Sequence, residues 1–201
     1  MTEALHPSGH TVPSVFTRAL LDWLPWLEPP APDALTARQR ESLVDPGRAA
    51  SAYFRLLALD PDVLEARTRT DKDIFYNGDA GLPRAERELA AAAASRLNGC
   101  IYCASVHARF AVSHSKREAD VERLLQVGVG AELGERWNAI VAAAAALSRT
   151  PVAFDAGHVA RLRAAGLDEL EIVDLINGAA FFGWANRLML SLGEPAAPAA
   201  G

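Results

Sequence analysis

Cys100, Cys103 and His107 stand at positions i, i+3 and i+7 of the segment Asn98-Gly99-Cys100-Ile101-Tyr102-Cys103-Ala104-Ser105-Val106-His107. On an α-helix that spacing puts all three on one face. The two sulfurs can then reach each other, with the imidazole one turn beyond Cys103. Asn98-Gly99 breaks the preceding helix, so Cys100 opens a new one, where unpaired N–H groups and the macrodipole favour thiolate over thiol. A thiolate is the form that reduces peroxides. His107, four residues after Cys103, is placed to take that thiol's proton directly or through a water. Glu88 lies ten residues before Asn98. If the two helices pair antiparallel, its carboxylate comes level with the middle of the site, where it orients His107 or joins a proton relay.

The rest of the chain has to hold that face in place. Its 201 residues suffice for one sizeable core. Half of them are hydrophobic and 22% are charged, the balance of an ordinary globular protein. The net charge is −5 and no basic stripe is present, which argues against nucleic-acid binding. Met1 to Pro13 lacks the apolar core of a signal peptide, and no apolar run reaches the roughly 18 residues of a membrane span. A cytoplasmic location is therefore expected. The only two cysteines sit in one C-x-x-C, too short a loop to add much as a structural cross-link. In a reducing compartment such a pair does redox or metal chemistry.

Residues 1–33 contain six of the twelve prolines, with Trp23, Trp26 and Leu27. They read as an N-terminal arm with one short helix near 14–24 and a proline-rich connector. The aromatic residues should pack it on its own core or on a neighbouring subunit. Residues 34–193 read as a helical domain, and residues 194–201, rich in Ala and Pro, as a flexible tail. Within the domain, Thr36-Ala37-Arg38-Gln39 and Ser115-Lys116-Arg117-Glu118 look like capping boxes. Asp60-Pro61 reads as N-cap and N1, and Pro83 opens a helix that stops at Asn98-Gly99. Residues 135–148 and 168–192 are apolar almost all round, as buried helices are. No alternating strand pattern competes, so the expected fold is an all-α bundle.

Glu88, Cys100, Cys103 and His107 together reproduce E-x11-C-x2-C-x3-H. In this the chain resembles the AhpD alkylhydroperoxidases of the carboxymuconolactone decarboxylase-like superfamily. The resemblance extends less sharply from about Tyr53 to Gly193. Asp71 to Tyr76 and Trp184 to Arg187 look like those of a longer peroxidase-related branch. It implies an AhpD-like helical bundle that reduces hydrogen peroxide or organic hydroperoxides without metal, haem or flavin. Cys103 would be the attacking thiol, Cys100 the resolving thiol, and His107 with Glu88 the proton relay. A lipoyl- or thioredoxin-like dithiol would regenerate the pair, and a symmetric homo-oligomer is expected. The chain departs from the family's usual second histidine just before the later cysteine, with Tyr102 there. A phenol donates a proton well but is a poor base at neutral pH. Acidity also pulls the other way from the implied roles, since the helix start favours Cys100.

Other readings of the same residues are weaker. Zinc would find three local ligands, with His114 a distant fourth about 10 Å along the helix at 1.5 Å per residue. Haem attachment needs His directly after the second cysteine, where Ala104 stands. A carboxymuconolactone decarboxylase-type reaction has no use for a dithiol. A non-catalytic redox switch would use the pair without turnover. Glu86 rivals Glu88, and the alternative for either is a solvated helix residue. His6, His10 and His158 read as surface residues, and Trp137, Phe181, Phe182 and Trp184 as core or interface. Asn186 and Arg187 read as makers of helix-end or interhelix hydrogen bonds.

Overall fold

The computed structural model describes residues 10–79 and 81–198. They form an all-α bundle with one two-stranded ribbon. In chain order the elements are β1 (Asp22–Pro25), α1 (Ala37–Ser42), a 3-10 turn (Pro46–Ala50), α2 (Ala52–Leu57), α3 (Pro61–Tyr76), α4 (Arg84–Leu97) and α5 (Ile101–Ser115). There follow α6 (Glu118–Val127), α7 (Glu135–Ser148), α8 (Ala156–Ala164), α9 (Glu169–Leu192) and β2 (Gly193–Ala196). Among the described residues no helix is long and apolar enough to cross a membrane.

The helix boundaries follow local chemistry. Thr36 caps α1 in a reciprocal capping box with Gln39, and Asp60 caps α3 with Pro61 at its first position. Asp168 and Glu171 form a further capping box at the start of α9. The expected box at Ser115 is absent. Ser115 belongs to the last turn of α5, its hydroxyl donating to the Ala111 carbonyl, and left-handed Lys116 (φ 62°) ends that helix. Helix α8 was not anticipated. Its N-terminus is capped by Asp155 with His158 at N3, where a Glu or Gln would have been the readable signal.

Helix α4 is the central element and packs against α5, α7 and α9. Ala90 to Ala94 are fully buried, and residues this small let neighbouring backbones approach closely. The helix separates two parts of the core. Leu89, Ala90, Ala92 and Ala93 face the larger cluster with α6, α7 and α9, while Ala91 and Ala94 face a smaller one containing both cysteines.

The arm and the tail correct two expectations. No helix forms near 14–24. Residues 22–25 are instead β1, paired antiparallel with β2, so 194–196 of the expected loose tail are a strand. Trp23 lies opposite Pro195 and packs edge-on against Tyr53 at 5.3 Å. Where the ribbon closes, a Cβ on Gly193 would sit 2.2 Å from the Leu24 carbonyl oxygen, so only glycine fits. The arm thus packs on its own core. Phe16 lies under the Arg96 guanidinium at 4.1 Å, and Arg109 donates to the Ala19 carbonyl at 2.9 Å. His10, expected at the surface without a partner, pairs with Glu194 at 2.9 Å. His158 pairs with Asp155 at 2.7 Å. His6 lies outside the described residues.

Candidate active site

The site is built on the α4–α5 hairpin. Asn98 is the C-cap of α4, and Gly99 takes φ +80°, the left-handed conformation that a Cβ disfavours. The Cys100 N–H donates to the Ser95 carbonyl at 3.0 Å, the six-residue return bond of a Schellman turn. Cys100 is therefore the N-cap of α5, and Cys103 lies in its first turn. The turn sets the register of the two antiparallel helices: Ser95 meets Cys100, and Glu88 meets His107. The eleven residues between Glu88 and Cys100 are the length that brings that carboxylate back to that imidazole.

Glu88 is 1% exposed, and each of its oxygens has a partner. The Arg84 guanidinium donates to Oε1 at 2.6 Å from the preceding turn, and Oε2 lies 2.6 Å from His107 Nδ1. An ionised carboxylate accepts, so Nδ1 carries the proton and Nε2 is left as the basic nitrogen. The ring is wedged against Phe182, edge to face at 4.1 Å, and Phe75 at 5.2 Å, which fixes its plane. The rival Glu86 faces elsewhere, joining Arg136 at 2.8 Å in a network that includes Glu171.

Cys100 and Cys103 are both buried free thiols. Hydrogen bonding from the Cys103 thiol holds Cys100 below the ordinary thiol range against the opposing effect of burial. The N–H groups of Cys103 and Tyr102 and the Asn186 amide add to this. Cys103 is pushed well above that range, first by the same bond, then by burial and by the charge of Cys100. The shared bond therefore makes Cys100 the more acidic thiol of the pair. Access divides the cysteines the opposite way. A cavity of about 200 Å³ reaches Cys103, whereas Cys100 does not line it. His107, Glu88 and Tyr102 share its wall, with Phe75, Phe110 and Phe182 among the apolar parts. Burial, ahead of the nearby sulfur, raises the Tyr102 phenol, so at neutral pH Tyr102 is a proton donor only.

Asn186, fully buried on α9, joins the hairpin from the side. Its amide donates to Ser95 Oγ at 3.0 Å and its carbonyl accepts from Asn98 at 3.0 Å. The second amide hydrogen remains for the sulfurs, and its presence favours the ionised form of both. Its interhelix hydrogen bonds were expected, its place beside the dithiol was not. A polar residue amid the apolar run Ala179 to Met189 was the available signal. Arg187 turns outward, donating to the Gly183 carbonyl at 2.5 Å. Two residues of the cavity wall, Tyr53 and Arg67, were not singled out for the site at all. Trp137, Phe181 and Phe182 are core, while Trp184 is 40% exposed. Among the described residues no group of His, Cys, Asp and Glu side chains could hold a metal ion.

Fold and site together define an all-helical protein with a redox-capable cysteine pair, a constitution consistent with a thiol-based redox mechanism. Residues 61–146 match the model of the carboxymuconolactone decarboxylase family. An uncharacterized peroxidase-related protein from Silicibacter sp. TM1040 superimposes with a TM-score of 0.70 at 24% identity, covering 85% of this chain and 91% of that one. The AhpD core of a peroxidase-related protein from Ralstonia eutropha JMP134 gives 0.69 at 23% identity, over 83% and 88%. The debrominase Bmp8 gives 0.60 at 19% identity, over 81% and 83%. No protein of curated function matches. The family match thus rests on residues 61–146, and the fold is the one seen in the AhpD-like structures.

Proposed function

We propose that the protein is a thiol peroxidase that reduces hydrogen peroxide or organic hydroperoxides by two electrons. One observation carries the reading. The cysteine that reaches the cavity, Cys103, shares its wall with a histidine whose Nδ1 is held 2.6 Å from a buried carboxylate. His107 Nε2 takes the Cys103 proton, and Glu88 stabilises the imidazolium that forms. The Cys103 sulfur attacks the peroxide oxygen; a sulfur–oxygen bond forms and the oxygen–oxygen bond breaks. The leaving alkoxide takes a proton and departs as an alcohol, or as water from hydrogen peroxide. The Cys103 sulfenic acid then accepts attack from Cys100, already poised as the more acidic thiol, and releases water as the disulfide closes. An external dithiol, lipoyl- or thioredoxin-like, supplies the electrons that reopen it. In this cycle the acidic cysteine resolves and the accessible cysteine attacks, which reconciles the acidity of Cys100 with the roles implied by the family resemblance. A homo-oligomer belongs to the same proposal, with Leu59, Val63 and Trp184 exposed around an apolar groove.

A sulfenic-acid trap with mass spectrometry tests the assignment. Cys100→Ser is expected to be labelled once, at Cys103, and to stop there. Cys103→Ser is expected to show no peroxide-dependent label. Label at Cys100 in Cys103→Ser, with none at Cys103 in Cys100→Ser, reverses the roles.

A further inference from the structure

Arg67, on α3, is 7% exposed, yet among the described residues no carboxylate or carbonyl accepts from it. Its Nε and Nη1 are sealed from solvent and make no hydrogen bond. The guanidinium is instead walled by aromatic rings, with Phe181 at 5.2 Å, Phe54 at 5.5 Å and Tyr53 at 5.8 Å. Such rings stabilise the charge but leave its hydrogens unmatched. The Tyr53 hydroxyl beside it is likewise buried and without a hydrogen bond. Burial, ahead of all else, pushes that phenol up to about 12, so it too is a donor in search of an acceptor. Both side chains line the cavity that reaches Cys103.

The other charges on that wall are matched. Glu88 has Arg84 and His107, and Asp71 has Arg48 at 3.0 Å. One positive charge is left over, and burying a charge without a partner is costly. Neither buried thiol accepts a hydrogen bond from Arg67 Nε or Nη1, although the guanidinium charge favours ionisation of Cys103.

We infer that Arg67 and Tyr53 form a carboxylate subsite, so that the preferred substrate is a small organic hydroperoxide carrying a carboxylate. This rests on the peroxidase reading for the hydroperoxide and on the unmatched donors alone for the carboxylate. A carboxylate oxygen accepts from the guanidinium and the phenol together, and cancels the surplus charge. The apolar body of the substrate lies along Phe75, Phe182 and Met189, with its hydroperoxide at Cys103. Hydrogen peroxide leaves the subsite empty and draws no binding energy from it.

Binding and turnover read this separately. Calorimetry on the reduced native protein is expected to show benzoate binding and no binding of methyl benzoate, with Arg67→Met abolishing the former. For turnover, the para-carboxylate of cumene hydroperoxide is compared with its methyl ester. The native protein should favour the acid by about 10- to 100-fold in kcat/KM, the usual range for a hydrogen bond to a charged group. Arg67→Met should bring that ratio toward one, and Arg67→Lys, which keeps the charge, should restore part of it. Equal binding of benzoate and its ester, or of neither, overturns the subsite without needing any variant. An unchanged acid-to-ester ratio in a folded Arg67→Met, with both rates lowered alike, also overturns it and makes Arg67 a counter-ion of the thiolate. Selective benzoate binding with no turnover of either hydroperoxide supports the anion subsite and overturns the peroxidase reading.

Discussion

Replacing Glu88 with Gln separates the charge of the relay from its shape. The amide fills the same space, and its carbonyl still accepts from His107 Nδ1, so the ring keeps its place. What is lost, in the proposed cycle, is the negative charge that stabilises the imidazolium once Nε2 has taken the Cys103 proton. Two unit charges about 4 Å apart interact by about 4 kcal/mol at the effective dielectric of a protein site. Arg84 already draws on the same carboxylate at 2.6 Å, which reduces what His107 receives. A hydrogen bond to a charged group is worth about 1.5–3 kcal/mol, so the peroxide step should slow by about ten- to a hundred-fold. Stability should fall too, since Arg84 loses its counter-charge. Arg84 keeps its stacking on Tyr76 at 4.2 Å, and a loss of about 1–2 kcal/mol lowers Tm by only several degrees in a chain of this size. The assay is single-turnover oxidation of the reduced protein by peroxide at 25 °C, with the folded fraction followed by circular dichroism. A variant that stays folded and reacts at the native rate refutes the relay. A slowed peroxide step with unchanged disulfide reduction by the dithiol donor ties the effect to the Cys103 proton.

Two further outcomes follow from the same geometry. Asn186→Leu strips the acceptor and donor that satisfy Asn98 and Ser95, at a cost of about 1–3 kcal/mol per buried group left unmatched. It also removes an amide that favours thiolate, so alkylation of the dithiol at neutral pH should slow, and native alkylation kinetics would count against that role. For pH, the lowered Cys100 means that the folded state releases its proton before the unfolded one does. Stability rises with pH from that folded pKa up to the unfolded thiol value of about 8.5. The raised Cys103 does the reverse and lowers stability above about 8.5. The Tm of the reduced protein, relative to the Cys100→Ser, Cys103→Ser double variant, should therefore peak near that pH. A flat difference would mean that the thiols titrate as they do in the unfolded chain.

Much of the hairpin was legible because its information is local. Gly99 ends α4, the i, i+3, i+7 spacing fixes one face of α5, and Thr36, Asp60 and Asp168 mark helix starts by their own side chains. The ribbon was not legible. β1 and β2 lie some 170 residues apart in the chain, each contains a proline, and neither alternates over a useful length. Pro25 and Pro195 read locally as breakers, and only the pairing of Trp23 with the tail gives them a strand. The cavity wall was hidden for a related reason. Tyr53 comes from α2 and Arg67 from α3, while Asn186, beside the dithiol but outside the wall, comes from α9, and no spacing rule links residues on separate helices. Arg67 in particular looked like one more charge in the polar run Glu65 to Asp73. Its isolation from any carboxylate is a property of the packed state alone. Ser115 shows the opposite failure, a correct local pattern outcompeted by the left-handed turn at Lys116.

The central claim is that the two thiols act as one two-electron unit served by His107 and Glu88. Intact-mass measurement of the reduced protein after one equivalent of hydrogen peroxide tests it most directly. The predicted product is a single chain lighter by two hydrogens, with Cys100 and Cys103 joined, and restored by a dithiol. A chain that stays reduced under peroxide, or that gains oxygen at either cysteine without forming the intramolecular disulfide, would contradict it.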